Sequence, residues 1–169
     1  QSNSNIDNKY SMMVADEKLT LNAAGSIDSS SSDMFGFFVG QYFGYGNQAG
    51  GLIGGKGVDI TAKNFNNTSG RIVAQTGNVN VNLTGNLLNN KGQVAANAGS
   101  MAITANNINA DYSTIYSSDN MQVNANSLSL KGNGSIAKNT ATGIISSDSD
   151  IQIDINGNYF SKFLMYFSI

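Results

Sequence analysis

The sequence predicts an all-β chain wound as a parallel β-helix, a solenoid of about six coils with one glycine- and aromatic-rich insertion. Three observations predict it. A short line of alternating apolar and polar residues recurs along the chain, its recurrences are almost evenly spaced, and no stretch carries a helical apolar period.

The recurring line is apolar–x–apolar–x–apolar. It reads Leu19-Thr20-Leu21-Asn22-Ala23, Val58-Asp59-Ile60-Thr61-Ala62, Val79-Asn80-Val81-Asn82-Leu83, Met101-Ala102-Ile103-Thr104-Ala105, Met121-Gln122-Val123-Asn124-Ala125 and Ile151-Gln152-Ile153-Asp154-Ile155. Period-2 alternation gives each copy one buried and one polar face. The first residues step by 39, 21, 22, 20 and 30 positions, so the unit is about 21 residues and the long steps carry inserted chain. A second apolar spot follows each line, at Phe65, at Leu87 or Leu88, at Ile108, at Leu128, and at Tyr159 or Phe160. Next comes a corner rich in Gly and Asn, where positive φ is expected. A third short strand closes the unit: Met13-Val14-Ala15, Ile72-Val73-Ala74, Val94-Ala95-Ala96, Ile115-Tyr116 and Ile144-Ile145.

A helix-free unit this short is too small for a propeller blade or helix pair and suits one coil of a β-helix. Equivalent residues then stack at about 4.8 Å, and six coils span roughly 30 Å. Leu19, Val58, Val79, Met101, Met121 and Ile151 are expected to form one interior ladder. Ile60, Val81, Ile103 and Val123 are expected to pair in parallel and point inward, with corner Asn amides bonding between coils. An antiparallel sandwich also has short strands and polar turns, but does not require one line repeated in register. The whole of 1–169 reads as one repeat segment, with insertions at 29–55 and 131–141.

Composition narrows the function classes. The net charge is −2, charged residues are 12%, and the single arginine is Arg71, so phosphate-backbone binding and nucleic-acid partners are not expected. The chain has no His, Cys, Trp or Pro, which removes thiolate and imidazole chemistry and the usual zinc ligands. A hydrophobic share of 40%, arranged in alternation, separates it from disordered polar chains. The chain begins with Gln and shows no basic-then-apolar leader, so an internal fragment of a longer protein is expected.

The pair Asn89-Asn90-Lys91-Gly92-Gln93-Val94-Ala95-Ala96 and Gly77-Asn78-Val79-Asn80-Val81-Asn82-Leu83 resembles the repeats of filamentous haemagglutinins, and Asn67 to Ala74 echoes the first. The resemblance is clearest from Val58 to Leu128 and reaches Leu19 and Ile155 more weakly. The run Ser29 to Ser32 with the aromatic glycine stretch after it is similar to the serine-rich interruptions of those arrays. The family comprises large exoproteins of bacterial two-partner secretion, adhesins and contact-dependent inhibition proteins among them. The resemblance implies a right-handed β-helix, export through an outer-membrane secretion partner, a place at the cell surface, and a role as shaft or adhesin. The family's amino-terminal secretion domain carries Asn-Pro motifs; with no proline, this chain resembles the downstream shaft.

Other motifs carry weaker chemistry. Gly50 to Gly57 approaches a P-loop around Lys56, but Gly57 stands where Ser or Thr would hold magnesium and an alternating strand follows, so a flexible lead into a coil is expected. Gly54 to Ile60 approaches the calcium-binding nonapeptide once, without the stacked copies such sites need. Asp148, Asp150 and Asp154, or Asp111 with Asp119, are candidate carboxylate pairs for glycan cleavage; solvated carboxylates on a polar strand face are the simpler expectation. The N-x-S/T triplets at Asn66, Asn67, Asn82 and Asn133 follow from composition. No catalytic, metal or cofactor site is expected, and no cofactor.

Two aromatic stretches remain. Met34 to Ile53 carries no charge and spaces Gly36, Gly40 and Gly44 four apart, as in membrane helix packing, but its ends must return to stacked coils, so no membrane span is expected. It presents Phe35, Phe37, Phe38, Tyr42, Phe43 and Tyr45, which either pack on the flank of the rod or contact a partner: a host or neighbouring-cell receptor, or a second copy. The closing stretch NYFSKFLMYFSI is expected to cover the last coil as a capping strand.

Overall fold

The structure, a computed structural model, describes residues 1–31, 51–133 and 143–162. These residues form sixteen strands, no helix, and two parallel sheets that curl into a half-barrel. In chain order they are β1 (Ile6–Asp7), β2 (Met12–Val14), β3 (Lys18–Asn22), β4 (Ser26–Asp28), β5 (Leu52–Gly55), β6 (Gly57–Ala62), β7 (Asn64–Asn66) and β8 (Arg71–Ala74). They continue as β9 (Val79–Leu83), β10 (Asn86–Leu88), β11 (Gln93–Ala96), β12 (Met101–Asn109), β13 (Thr114–Ser117), β14 (Met121–Lys131), β15 (Ile144–Ser147) and β16 (Ile151–Lys162).

Each repeat sends one strand to each of three places. The ten-stranded sheet has two limbs: β3, β6 and β9 in one, and β1, β4, β7 and β10 in the other. Strand β12 pairs with β9 along its first half and with β10 along its second, and β14 and β16 then run beside it through both limbs. The third strand of each unit builds the six-stranded sheet, β2-β5-β8-β11-β13-β15.

Register is what makes the core. Ile60 pairs with Val81, Val81 with Ile103 and Ile103 with Val123, all parallel and all buried. Leu19, Val58, Val79, Met101, Met121 and Ile151 form a second ladder in the same limb. In the other limb Ile6, Ile27, Phe65, Leu87, Ile108, Leu128 and Tyr159 stack. Across the core stand Met13, Ile53, Ile72, Val94, Ile115 and Ile145 of the six-stranded sheet. One continuous apolar cluster joins residues of both sheets. Burying a side chain of this size contributes about 1.5–3 kcal/mol, so a one-residue slip, which would turn a whole strand outward, is strongly disfavoured.

Three expectations change. The stretch 29–55 was expected as insertion, yet Ser29 is buried in line with the neighbouring turns and β5 pairs in register with β2 and β8. Gly54 and Gly55 are therefore strand residues rather than a flexible lead. Positive φ was expected at Asn or Gly; it is found at Gly51 and Gly143, but the non-glycine residues that adopt it are Tyr10, Ser69, Lys91 and Tyr112, one equivalent corner position in four units, and not Asn. There each amide donates to the next unit: Tyr10 to Ser30 O, Ser69 to Asn90 O, Lys91 to Asp111 O and Tyr112 to Lys131 O. Part of the closing stretch, Asn158 to Lys162, continues the repeat as the second half of β16, opposite Ser127 to Lys131.

Candidate functional site

The corners hold the polar side chains that alternation hides. Asn8, Ser29, Asn67 and Asn89 occupy equivalent positions and are buried. Asn8 Nδ2 donates to Ser29 Oγ at 2.9 Å and Asn67 Nδ2 to Asn89 Oδ1 at 2.7 Å. Gly92 is needed beside this stack, since a Cβ there would lie 2.3 Å from Asn89 Oδ1 and 2.4 Å from the Asn67 carbonyl oxygen. One residue before Asn8, Ser29, Asn67 and the equivalent Ala110, the side chains of Asp7, Asp28, Asn66 and Asn109 each accept the backbone N–H two residues ahead, an Asx turn that recurs in four units. These groups brace the corners; their donors and acceptors are largely turned on one another.

The carboxylates of the candidate pairs each meet partners of their own. Asp111 is buried and held by its own partners: Ser129 Oγ donates at 2.7 Å, the Lys131 amide at 3.1 Å, and Lys131 Nζ lies 3.1 Å away. Burial opposes the charge on Asp111, but the Ser129 and Lys131 contacts outweigh it and hold the carboxyl below its usual range. Asp119 meets a different corner, where its carbonyl oxygen accepts from Ser117 and Ser147 hydroxyls. Asp148 accepts a 2.7 Å bond from Tyr116 Oη, and this bond, with burial, raises the phenol pKa and keeps Tyr116 a proton donor. Asp154 accepts from Gln152 Nε2 at 2.8 Å.

Asp150 lines an open concavity of about 610 Å³ with Asn80, Ser100, Asn120, Gln122 and Gln152. Its lining is mostly amide and hydroxyl, with no Lys or Arg that could act as base or charge partner. Among the described residues no group of three or more His, Cys, Asp or Glu side chains could hold a metal ion. The resemblance of Gly50–Gly57 to a phosphate loop fails locally: Lys56 is ion-paired with Glu17, and its amide donates to the Glu17 carbonyl. Asp59, the nonapeptide aspartate, pairs with Lys18 and accepts from Asn80 Nδ2, and its stacked neighbours are Thr20 and Asn80.

The six aromatics expected either to pack on the rod or to contact a partner, Phe35, Phe37, Phe38, Tyr42, Phe43 and Tyr45, lie outside the described residues. Within them, large apolar side chains are exposed at Tyr10, Leu88, Tyr112, Tyr159 and Phe160. Tyr10 and Tyr112 share a corner position but stand four units apart, roughly 19 Å at the parallel-strand spacing, so they form no common patch. Tyr159 and Phe160 are neighbours at the edge strand β16. Comparison with family models, with curated proteins and with solved structures finds no match to this chain.

Proposed function

We propose that the chain is a shaft segment of a large secreted bacterial surface exoprotein, a right-handed parallel β-helix that spaces binding or effector regions from the cell. The observation that carries this reading is the unbroken register of the interior ladders, which repeats one packing solution from unit to unit and elongates along the stacking direction. Right-handed winding is the form that parallel crossover connections take almost without exception. The repeats resemble those of filamentous haemagglutinins, and on that resemblance the parent is an adhesin or contact-dependent inhibition protein exported through an outer-membrane partner. No helix among the described residues is long and apolar enough to cross a membrane. In this reading the molecule works mechanically, through main-chain hydrogen bonds between units, and catalyses nothing.

The test lengthens the rod and asks for binding. Duplicating Val79–Ser100 is expected to increase the maximum dimension in solution scattering by about one strand spacing, 4.8 Å. The immobilised chain is expected neither to capture cells nor to turn over a glycan panel. Capture lost on replacing Phe37, Phe38 and Tyr42 by Ser would make the segment a receptor-binding module. Glycan turnover lost in Asp150→Asn would make it an enzyme.

A further inference from the structure

We propose that Asn156 is a site of spontaneous deamidation through its own backbone, and that β16 is the strand this modification loosens. The register of β16 on β14 is regular from Ile151 opposite Met121 to Ile155 opposite Ala125, and resumes with Asn158 opposite Ser127. Asn156 and Gly157 therefore face the single residue Asn126. This two-against-one arrangement is a β-bulge, which interrupts the ladder locally. Both residues are exposed, and β16 has β14 on one side and no paired strand on the other among the described residues. The glycine is imposed by the bulge itself, because a Cβ on Gly157 would lie 2.6 Å from the Asn126 carbonyl oxygen.

That requirement creates the reactive pair. A residue without a side chain follows an exposed asparagine, so nothing shields the Gly157 nitrogen from the Asn156 amide carbon. Loss of the Gly157 N–H proton to hydroxide leaves a nucleophilic nitrogen. It attacks Asn156 Cγ, the new N–C bond closes a five-membered imide, and the side-chain nitrogen leaves as ammonia. Water then adds to one of the two imide carbonyls and opens the ring to aspartate or isoaspartate. The isoaspartate product lengthens the main chain by one methylene, which puts Asn158–Lys162 out of step with Ser127–Lys131. Either product adds a carboxylate close to Asp154. By contrast Asn80, Asn82 and Asn124 sit in regular register and precede buried Val81, Leu83 and Ala125.

The experiment incubates the full chain, folded and in urea, at mildly alkaline pH, and follows each asparagine by peptide mass spectrometry with isoaspartyl methyltransferase labelling. At Asn156 the folded-to-unfolded rate ratio is expected near unity and the rate to rise in proportion to hydroxide, whereas Asn80, Asn82 and Asn124 are strongly slowed by folding. The converted protein is expected to lose hydrogen-exchange protection over Asn158–Lys162 and keep it over Met101–Ala105. The Asn156→Gln variant is expected to fold and to lose the label from the peptide that spans position 156, whatever label arises at the second Asn-Gly pair, Asn133-Gly134. The proposal is overturned if folding slows Asn156 as much as Asn80, if the label persists on the peptide spanning position 156 in Asn156→Gln, or if conversion leaves the protection of β16 intact.

Discussion

The buried stack of Asn8, Ser29, Asn67 and Asn89 ends against a methyl group, because the next equivalent residue is Ala110, itself fully buried. Asn89 Nδ2 has no hydrogen-bond partner at this end of the series, and Asn67 Oδ1, within the stack, has none either. An unsatisfied buried polar group costs about 1–3 kcal/mol. The pairing of Asn8 Nδ2 with Ser29 Oγ shows how a serine one unit on satisfies such an amide. Ala110→Ser is therefore expected to raise unfolding free energy by about 1 kcal/mol, read from a urea titration. Ala110→Val adds bulk without an acceptor and is expected to give no gain. Charge enters at the same corner through Asp111. Its carboxyl is depressed in the folded state, so its contribution is present above the unfolded value of about 3.9 and lost as pH falls through the lower folded value. Asp111→Asn is expected to lower stability at neutral pH and to flatten the acid limb of the stability–pH curve below about pH 4; an unchanged acid limb would show that the Lys131 and Ser129 contacts contribute nothing. The bonding of corner Asn amides from unit to unit was legible in the sequence; the left-handed positions were not. Asn and Gly mark the corners, but among the described residues the left-handed positions include, besides Gly51 and Gly143, Tyr10, Ser69, Lys91 and Tyr112, whose amides bond to the next unit and which have no intrinsic preference for that conformation.

At the scale of the strand, burial separates positions that alternate along the chain. Phe65 of β7 lies between Ile27 and Leu87 with no exposed surface, the largest fully buried side chain of the core. Phe65→Ala is expected to destabilise by about 3–5 kcal/mol through lost burial and the cavity left behind. The outward Asn82 of β9 is exposed, and Asn82→Thr is expected to stay within about 0.5 kcal/mol. Equal costs in chemical denaturation would mean that β7 and β9 do not present the faces described. The alternating strands were legible because five residues of strict alternation leave one consistent inward face. Strands β1, β4 and β5 were not, since two to four residues cannot display a period and β5 ends in two glycines. They form because adjacent units offer a paired edge, a cause that lies outside the segment itself. The candidate site was less legible than the fold: the carboxylates share a sequence neighbourhood, yet Asp148, Asp150 and Asp154 each meet different partners.

At the scale of the molecule, the proposed β-helix would be a stack of equivalent units with nearly interchangeable interfaces, whose stability is close to a sum over neighbours. This makes the repeat length itself testable. Excising Val79–Ser100 removes 22 residues and joins Asn78 to Met101. In the shortened chain Val58 would stack on Met101, Ile60 on Ile103, Phe65 on Ile108 and Ile72 on Ile115, each pairing apolar with apolar at the same ladder position. The costs are local: Asn67 loses Asn89 and Asp59 loses Asn80. The variant is therefore expected to keep a strand-rich circular-dichroism spectrum and one cooperative unfolding transition, at a lower midpoint. Removing only Asn90–Ser100 takes out half a unit. It brings a strand of the ten-stranded sheet to the place of one in the six-stranded sheet, with every later corner displaced from its partner. That chain is expected to lose cooperative unfolding and to aggregate. Equal tolerance of the two deletions would mean that the units do not stack as equivalents, and equal intolerance would mean that unit interfaces are specific to their neighbours rather than repeated.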